Sequence, residues 1–147
     1  VGLATGATAV LVPEKPVNFD SDVIDRIRQA RLAGNTHFMI IVAEGAGSAI
    51  EIGKGIHEEL GLDPRVTILG HIQRGGSPNA YDRVLSTQFG VHAAELIRDG
   101  VYGVTVALKG NEITHNKLSD IAGVPKLVPP DNTMITTARN IGISFGD

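Results

Sequence analysis

The sequence predicts an α/β fold: a three-layer arrangement in which a parallel sheet lies between helices on both faces. Two observations carry this. Short apolar runs alternate with longer segments whose apolar residues recur at helical spacing, and repeated strand–helix–strand units imply parallel strands. The strongest strand, HFMIIVAE (His37 to Glu44), has a continuously apolar centre, as expected of a strand covered on both faces.

The elements follow in order. VGLATGA, at the start, reads as the end of a helix. ATAVLVP (Ala7 to Pro13) is a short apolar run bounded by Gly6 and Pro13, and reads as a buried strand. After a loop containing Pro16, Asp20 or Ser21 is placed to N-cap a helix with Asp22 in its first turn. Val23, Ile24, Ile27 and Ala30 form its apolar stripe, and Gly34 lies past its end. The strand His37 to Glu44 comes next, then a small-residue turn from Gly45 to Ser48. A second helix carries Ala49, Ile52, Ile56 and Leu60 on one face and stops at Gly61. RVTILG (Arg65 to Gly70) reads as another strand and HIQRGG as a loop. Ser77-Pro78 is a helix start, with serine as N-cap and proline at the first helical position. That helix aligns Tyr81, Leu85, Phe89, His92 and Leu96 and stops near Gly100. Val101 to Gly110 reads as a strand and ITHNKL as an edge strand. Lys126 to Asp131, with Pro129-Pro130, is a connector, and Asn132 to Gly142 a terminal helix.

Composition narrows the function. The 147 residues amount to about one domain, and 42% hydrophobic with 20% charged is the balance of a soluble globular chain. A net charge of -3 argues against a general nucleic-acid binder, which shows a basic field. A small basic pocket remains allowed. The lack of cysteine excludes a disulfide framework, a thiolate zinc site and a cysteine nucleophile. No apolar run is long enough to span a membrane, and the first residues lack the basic flank of a signal peptide, so a cytoplasmic location is expected. A chain that opens on Val1 hints at a piece of something longer.

Ligands of open α/β sheets gather at the carboxyl ends of the strands. Glu44 follows directly on the best strand; His71 and Arg74 follow the strand ending at Gly70. If those strands are neighbours, the three residues converge in one crevice. Gly75 and Gly76 let backbone approach a ligand, and amides of the helix opened by Ser77 favour an anion. Arg74 can pair with a phosphate in bidentate fashion, and His71 adds a donor. A carboxylate repels phosphate, so Glu44 belongs at a neutral, hydroxyl-bearing end. A sugar phosphate satisfies both ends. Each residue also has a structural reading: Glu44 as a turn cap, RGGSP as a turn with a helix cap, His71 as a satisfied structural histidine. Arg65, at the amino end of its strand, reads from position alone as a surface or interface arginine. His57 lies on a helix among Glu58 and Glu59, His92 is packed, His37 opens a strand, and His115 sits in a polar stretch. No spacing suggests a closed metal site, and the sequence has no GxxxxGK[ST] loop, dinucleotide fingerprint or credible general base.

RVTILGHIQRGGSPNAYDRVLSTQFG closely resembles the 6-phosphofructokinase family, whose members carry a nearly identical LGHxQRGGSPxxxDR segment. VAEG matches the family's strand-end glutamate, and VGLATGATAVLVPE is similar to the segment after its MGRHAG motif. The resemblance covers essentially the whole chain and implies the C-terminal half of a two-domain phosphofructokinase. Residues 1–72 would be a segment of the small, substrate-binding domain. Residues 73–122 would pack with the donor-binding domain, and 123–147 would return to the small domain. The implied reaction phosphorylates fructose 6-phosphate at its 1-hydroxyl, with Mg²⁺ and either ATP or diphosphate as donor. The implied substrate-binding residues are Glu44, Arg65, His71, Ile72, Gln73 and Arg74. Glu44 would hold sugar hydroxyls, and His71 and Arg74 the 6-phosphate. Arg65 would reach that phosphate from a neighbouring subunit, which implies a homo-oligomer, a tetramer in the intact protein. The catalytic aspartate, donor loop and metal site would precede Val1, leaving no catalytic or metal-binding residue here. Exposed apolar surface is expected where the donor-binding domain's sheet would lie. Thr8, Ala33 and Asn35 stand where allosteric bacterial members carry a glutamate and two lysines, so weak nucleotide and phosphoenolpyruvate regulation is expected. The ending NIGISFGD is similar to a branch containing both ATP- and diphosphate-dependent members. The rival readings are a non-catalytic sugar-phosphate-binding module or regulator and a purely structural assembly segment.

Overall fold

The structure, a computed structural model, describes residues 1–146; Asp147, the end of NIGISFGD, lies outside them. The chain divides into two compact units. One comprises Val1–Ile68 together with the chain from Leu127 onward, and the other Leu69–Lys126.

The first unit is built around β1 (Ala9–Leu11), all three residues of which are buried. It pairs in parallel with β2 (Ile40–Val42), Ala9 opposite Ile40 and Leu11 opposite Val42. On its other edge Ala9 forms a parallel bridge to Ser144, and the Val10 amide donates to the Ser144 carbonyl at 2.8 Å. Alternate residues of β1 then serve opposite faces. Leu11 joins Val23, Ile24, Ile27 and Ile56 in one core, which brings in α2 (Asp25–Leu32) and α3 (Ala49–Leu60). Val10 joins Ala7, Ala138 and Ile143 in a second core, with Leu3 packed against it. Leu3 belongs to α1 (Gly2–Thr5) and Ala138 to α6 (Thr133–Asn140). The sheet is parallel and carries helices on both faces, the expected α/β class.

Several boundaries differ from the sequence reading. The strand His37 to Glu44 narrows to Ile40–Val42, although the Met39 carbonyl accepts from the Thr8 amide and the Ala43 amide donates to the Leu11 carbonyl, extending the edge. Neither Asp20 nor Ser21 caps the helical segment that leads into α2. The Asn18 side chain accepts from both of their amides, and the chain enters through a π-helical turn, Asp20–Ile24. The strand expected over Arg65 to Gly70 does not form. The chain from Gly61 to Leu69 runs without regular structure, and Ile68 is 71% exposed. A strand needs a neighbour to take its backbone hydrogen bonds, and among the described residues none pairs with this segment. α3 starts as expected, with the Ser48 hydroxyl accepting from the Glu51 amide, and ends at Gly61 in the left-handed region.

In the second unit, α4 (Ala80–Arg98) packs on an antiparallel hairpin of β3 (Val104–Lys109) and β4 (Glu112–Lys117). Gly110, at φ 61°, opens the two-residue turn between Lys109 and Glu112, a position that favours glycine. A short α5 (Leu118–Ile121) follows. Ser77 does not cap α4. Asn79 does, accepting from the Asp82 amide while the Asp82 carboxylate accepts from the Asn79 amide. This reciprocal capping box satisfies two backbone donors, whereas Ser77 offers only one acceptor. Leu85, Phe89 and His92 are half-buried and Leu96 buried, but Tyr81 of the same expected stripe is 65% exposed. Among the described residues no helix is long and apolar enough to cross a membrane.

Candidate functional site

Glu44 stands where open α/β sheets put their ligands. β1 and β2 end together, and the Ala46 amide donates to the Ala43 carbonyl at 2.8 Å. That turn carries Glu44 at its first inner position, exposed to solvent. Gly45 lets the turn lie against Pro13, since a Cβ there would come within 3.1 Å of the Pro13 Cβ.

Arg65 also belongs to the first unit, on the irregular segment after α3. Its neighbours Pro64 and Val66 lean on α3 at Gly53, where a Cβ would lie 2.7 Å from the Val66 methyl. The segment is thus anchored through its flanks while Arg65 itself is exposed. With no strand formed here, Arg65 has no strand end to occupy, and the expected alignment of Glu44 with His71 through neighbouring strands loses its basis.

His71, Ile72, Gln73 and Arg74 fall in the second unit, in one 3₁₀ turn, Gly70–Arg74. Positions three apart eclipse in a 3₁₀ helix. His71 and Arg74 therefore share one face of the turn, which sets a guanidinium beside an imidazole. Glycines bracket the turn in the left-handed region, Gly70 at φ 54° and Gly75 at φ 109°. The Gly75 amide donates to the Ile72 carbonyl at 3.2 Å and closes it. All four residues are exposed, Ile72 to 74%. The free amides of α4 begin at Ala80 rather than at Ser77, and Asp82 brings a negative charge into that first turn. The α4 N-terminus therefore does not offer the free amides at Ser77 that the sequence suggests.

Among the described residues, no hydrogen bond or ion pair engages the side chains of Glu44, Arg65, His71 or Arg74. No group of three or more His, Asp or Glu side chains among the described residues could hold a metal. A separate pocket of about 410 Å³ in the first unit is lined by Thr8, Asn35, His37 and Met39 among others.

The phosphofructokinase family model matches residues 1–97. The chain belongs to the phosphofructokinase family. Among its relatives, the ATP-dependent 6-phosphofructokinase of Bacillus pumilus is 48% identical over 142 residues, covering 97% of this chain and 44% of that enzyme. ATP-dependent 6-phosphofructokinase 2 of Clostridium perfringens is 37% identical, covering 99% of this chain and 46% of that enzyme. The chain thus spans a little under half the length of these relatives. Among solved structures, Pichia pastoris phosphofructokinase in the T-state superposes with a TM-score of 0.68 at 32% identity, covering 95% of this chain and 16% of that one. Saccharomyces cerevisiae phosphofructokinase gives 0.66 at 30%, covering 96% and 20%.

Proposed function

We propose that this chain supplies the fructose 6-phosphate site of a 6-phosphofructokinase. The reaction moves the terminal phosphoryl group of ATP to the sugar's 1-hydroxyl, giving fructose 1,6-bisphosphate and ADP. The observation that carries the reading is the turn Gly70–Arg74, with His71 and Arg74 on one face, no partner for either side chain among the described residues, and glycines on both sides. In the proposed site Arg74 grips the 6-phosphate through paired N–H donors and His71 adds a third. Ile72 and Gln73 form the body of the turn that sets their spacing. Glu44 accepts hydrogen bonds from the sugar hydroxyls at the uncharged end. Arg65 completes the phosphate clamp from a neighbouring copy, which makes the working form a homo-oligomer, as a tetramer.

These residues bind and orient; none is a general base. ATP is favoured as donor over diphosphate because the close relatives are named ATP-dependent enzymes. In this reading the donor, Mg²⁺ and the base are held by residues other than these. Residues 1–72 and 123–147 form the substrate domain in this reading, and 73–122 pack with the donor domain. Thr8, Ala33 and Asn35 lack the charges that would hold an anionic effector, so activity should respond little to phosphoenolpyruvate.

The test is steady-state kinetics on the full-length gene product with Mg²⁺, using ATP and diphosphate separately. Arg74→Ala is expected to raise KM for fructose 6-phosphate by ~10–100-fold, the effect of removing a charged hydrogen-bond partner, with a smaller change in kcat. A fall in kcat alone would move Arg74 out of ground-state binding. No turnover with either donor would leave the non-catalytic sugar-phosphate-binding module as the better account.

A further inference from the structure

The second unit holds a histidine pair that the sugar-phosphate reading does not use. His92 sits on α4 and His115 on β4. The Nε2 of His92 lies 3.3 Å from the Nδ1 of His115, and the rings meet edge to edge, with centroids 5.6 Å apart and planes 28° from parallel. One helical turn along α4, a carboxylate oxygen of Glu95 lies 3.8 Å from the other nitrogen of His92.

We propose that His92 and His115 form a chelating pair for a borderline-soft divalent cation of the zinc class, clipping α4 to the hairpin. A tetrahedral zinc ion with Zn–N bonds of ~2.0–2.1 Å holds two imidazole nitrogens ~3.3–3.4 Å apart. The observed separation matches that edge. As it stands, the pair also suits one shared proton, which lies near the line between the nitrogens. A metal ion lies off that line, so each ring must turn by about 35° to aim its lone pair. His115 is exposed and the His92 side chain is 24% exposed, which leaves room for the turn and for water on the remaining coordination positions. Glu95 stands at the nitrogen of His92 that faces away from His115, where a carboxylate orients a ligating histidine and raises its basicity. Imidazoles select zinc, copper or nickel; Mg²⁺ demands oxygen ligands. With only two protein ligands the site holds an exchangeable ion. Because the ligands are 23 residues apart on two elements, the bound ion stabilises the folded unit over the unfolded chain.

The inference does not rest on the proposed sugar-phosphate function, and its test needs no turnover. Zinc chloride is titrated into the 147-residue chain at 25 °C by calorimetry, beside His92→Gln, His115→Gln, Glu95→Gln and His57→Gln, with magnesium chloride as the control ion. His57 is the comparison because it is exposed and also pairs with a carboxylate, Asp63, at 3.0 Å. The expected result is one zinc per chain for the parent and for His57→Gln, and no response to magnesium. His92→Gln and His115→Gln should lose the site, and Glu95→Gln should bind about tenfold more weakly. A thermal melt provides the second readout: zinc should raise the melting temperature only where both histidines remain. Because each variant is compared with and without zinc, a variant that starts less stable is still informative. Zinc binding that survives both His92→Gln and His115→Gln would overturn the proposal, as would no zinc binding by the parent; the pair would then share a proton only.

Discussion

Asp22 is buried to 5% exposure in the π-helical turn that leads into α2, and both of its carboxylate oxygens accept hydrogen bonds. It accepts from the Asn18 amide at 2.7 Å and from the Ser21 hydroxyl at 2.8 Å, while the Asn18 side chain accepts from the Asp20 and Ser21 amides. This reciprocal arrangement fixes the π-helical turn that aims Val23 and Ile24 into the core. Asp22→Ala should cost ~1–3 kcal/mol, because it strands the Asn18 amide donor. Asp22→Asn should cost less, since an amide oxygen can still accept from it. Urea denaturation checks both; equal losses would mean that the negative charge, not the acceptor, sustains the turn. The sequence pattern places Asp22 in the first turn but gives the cap to Asp20 or Ser21. Pattern rules put caps next to the first apolar residue, whereas here the chain turns earlier, at Asn18. Glu44 is legible on physical grounds, as a carboxylate at the end of the strongest strand. Arg65 is not: its segment has no regular structure, and only the family resemblance gives it a role.

At the scale of elements, two glycines inside helices should respond in opposite ways to one methyl group. Gly90 lies in α4, and a Cβ added there would meet nothing within 4 Å. Gly90→Ala should raise stability by about 0.5–1 kcal/mol, the helix-propensity difference. Gly55 lies in α3, where a Cβ would come 2.6 Å from the tip of the Phe19 ring. Phe19 packs against the core, so it cannot swing away freely. Overpacking costs about 1–3 kcal/mol and outweighs the same propensity gain. Gly55→Ala should therefore lower the melting temperature while Gly90→Ala raises it; a rise in both would show that Phe19 yields. The same contrast between local and tertiary control explains the legibility of the elements. α3 is readable at both ends because Ser48 and Gly61 act locally. The Arg65 to Gly70 strand is not, because its apolar pattern promises a neighbour that the described residues do not supply. Ser77-Pro78 matches a helix start in composition, but Asn79 with Asp82 closes two hydrogen bonds where Ser77 could close one.

At the scale of the whole chain, the outward side of α4 is apolar without cover. Tyr81 is 65% exposed, Val84 59% and Val91 55%, and their spacing of three and seven puts them along one stripe. This stripe borders the side that carries half-buried Leu85 and Phe89 and buried Leu96. A stripe of this kind binds hydrophobic dyes and draws copies together. The chain should therefore bind dye in its folded state and associate increasingly with concentration in sedimentation velocity. Val84→Glu with Val91→Lys should reduce both effects. It should change stability little, since exposed side chains carry little packing energy and the two new charges have opposite sign at a spacing of two helical turns. The melt should also depart from a single two-state transition, because both buried core clusters lie in the first unit while the second, among the described residues, buries only Leu96, and two-state behaviour is a property of single cooperative domains. A monomer at all concentrations that binds no dye and melts in one step would contradict this reading. The apolar stripe would then be too dispersed to act as a surface, and the two units would be coupled into one cooperative fold.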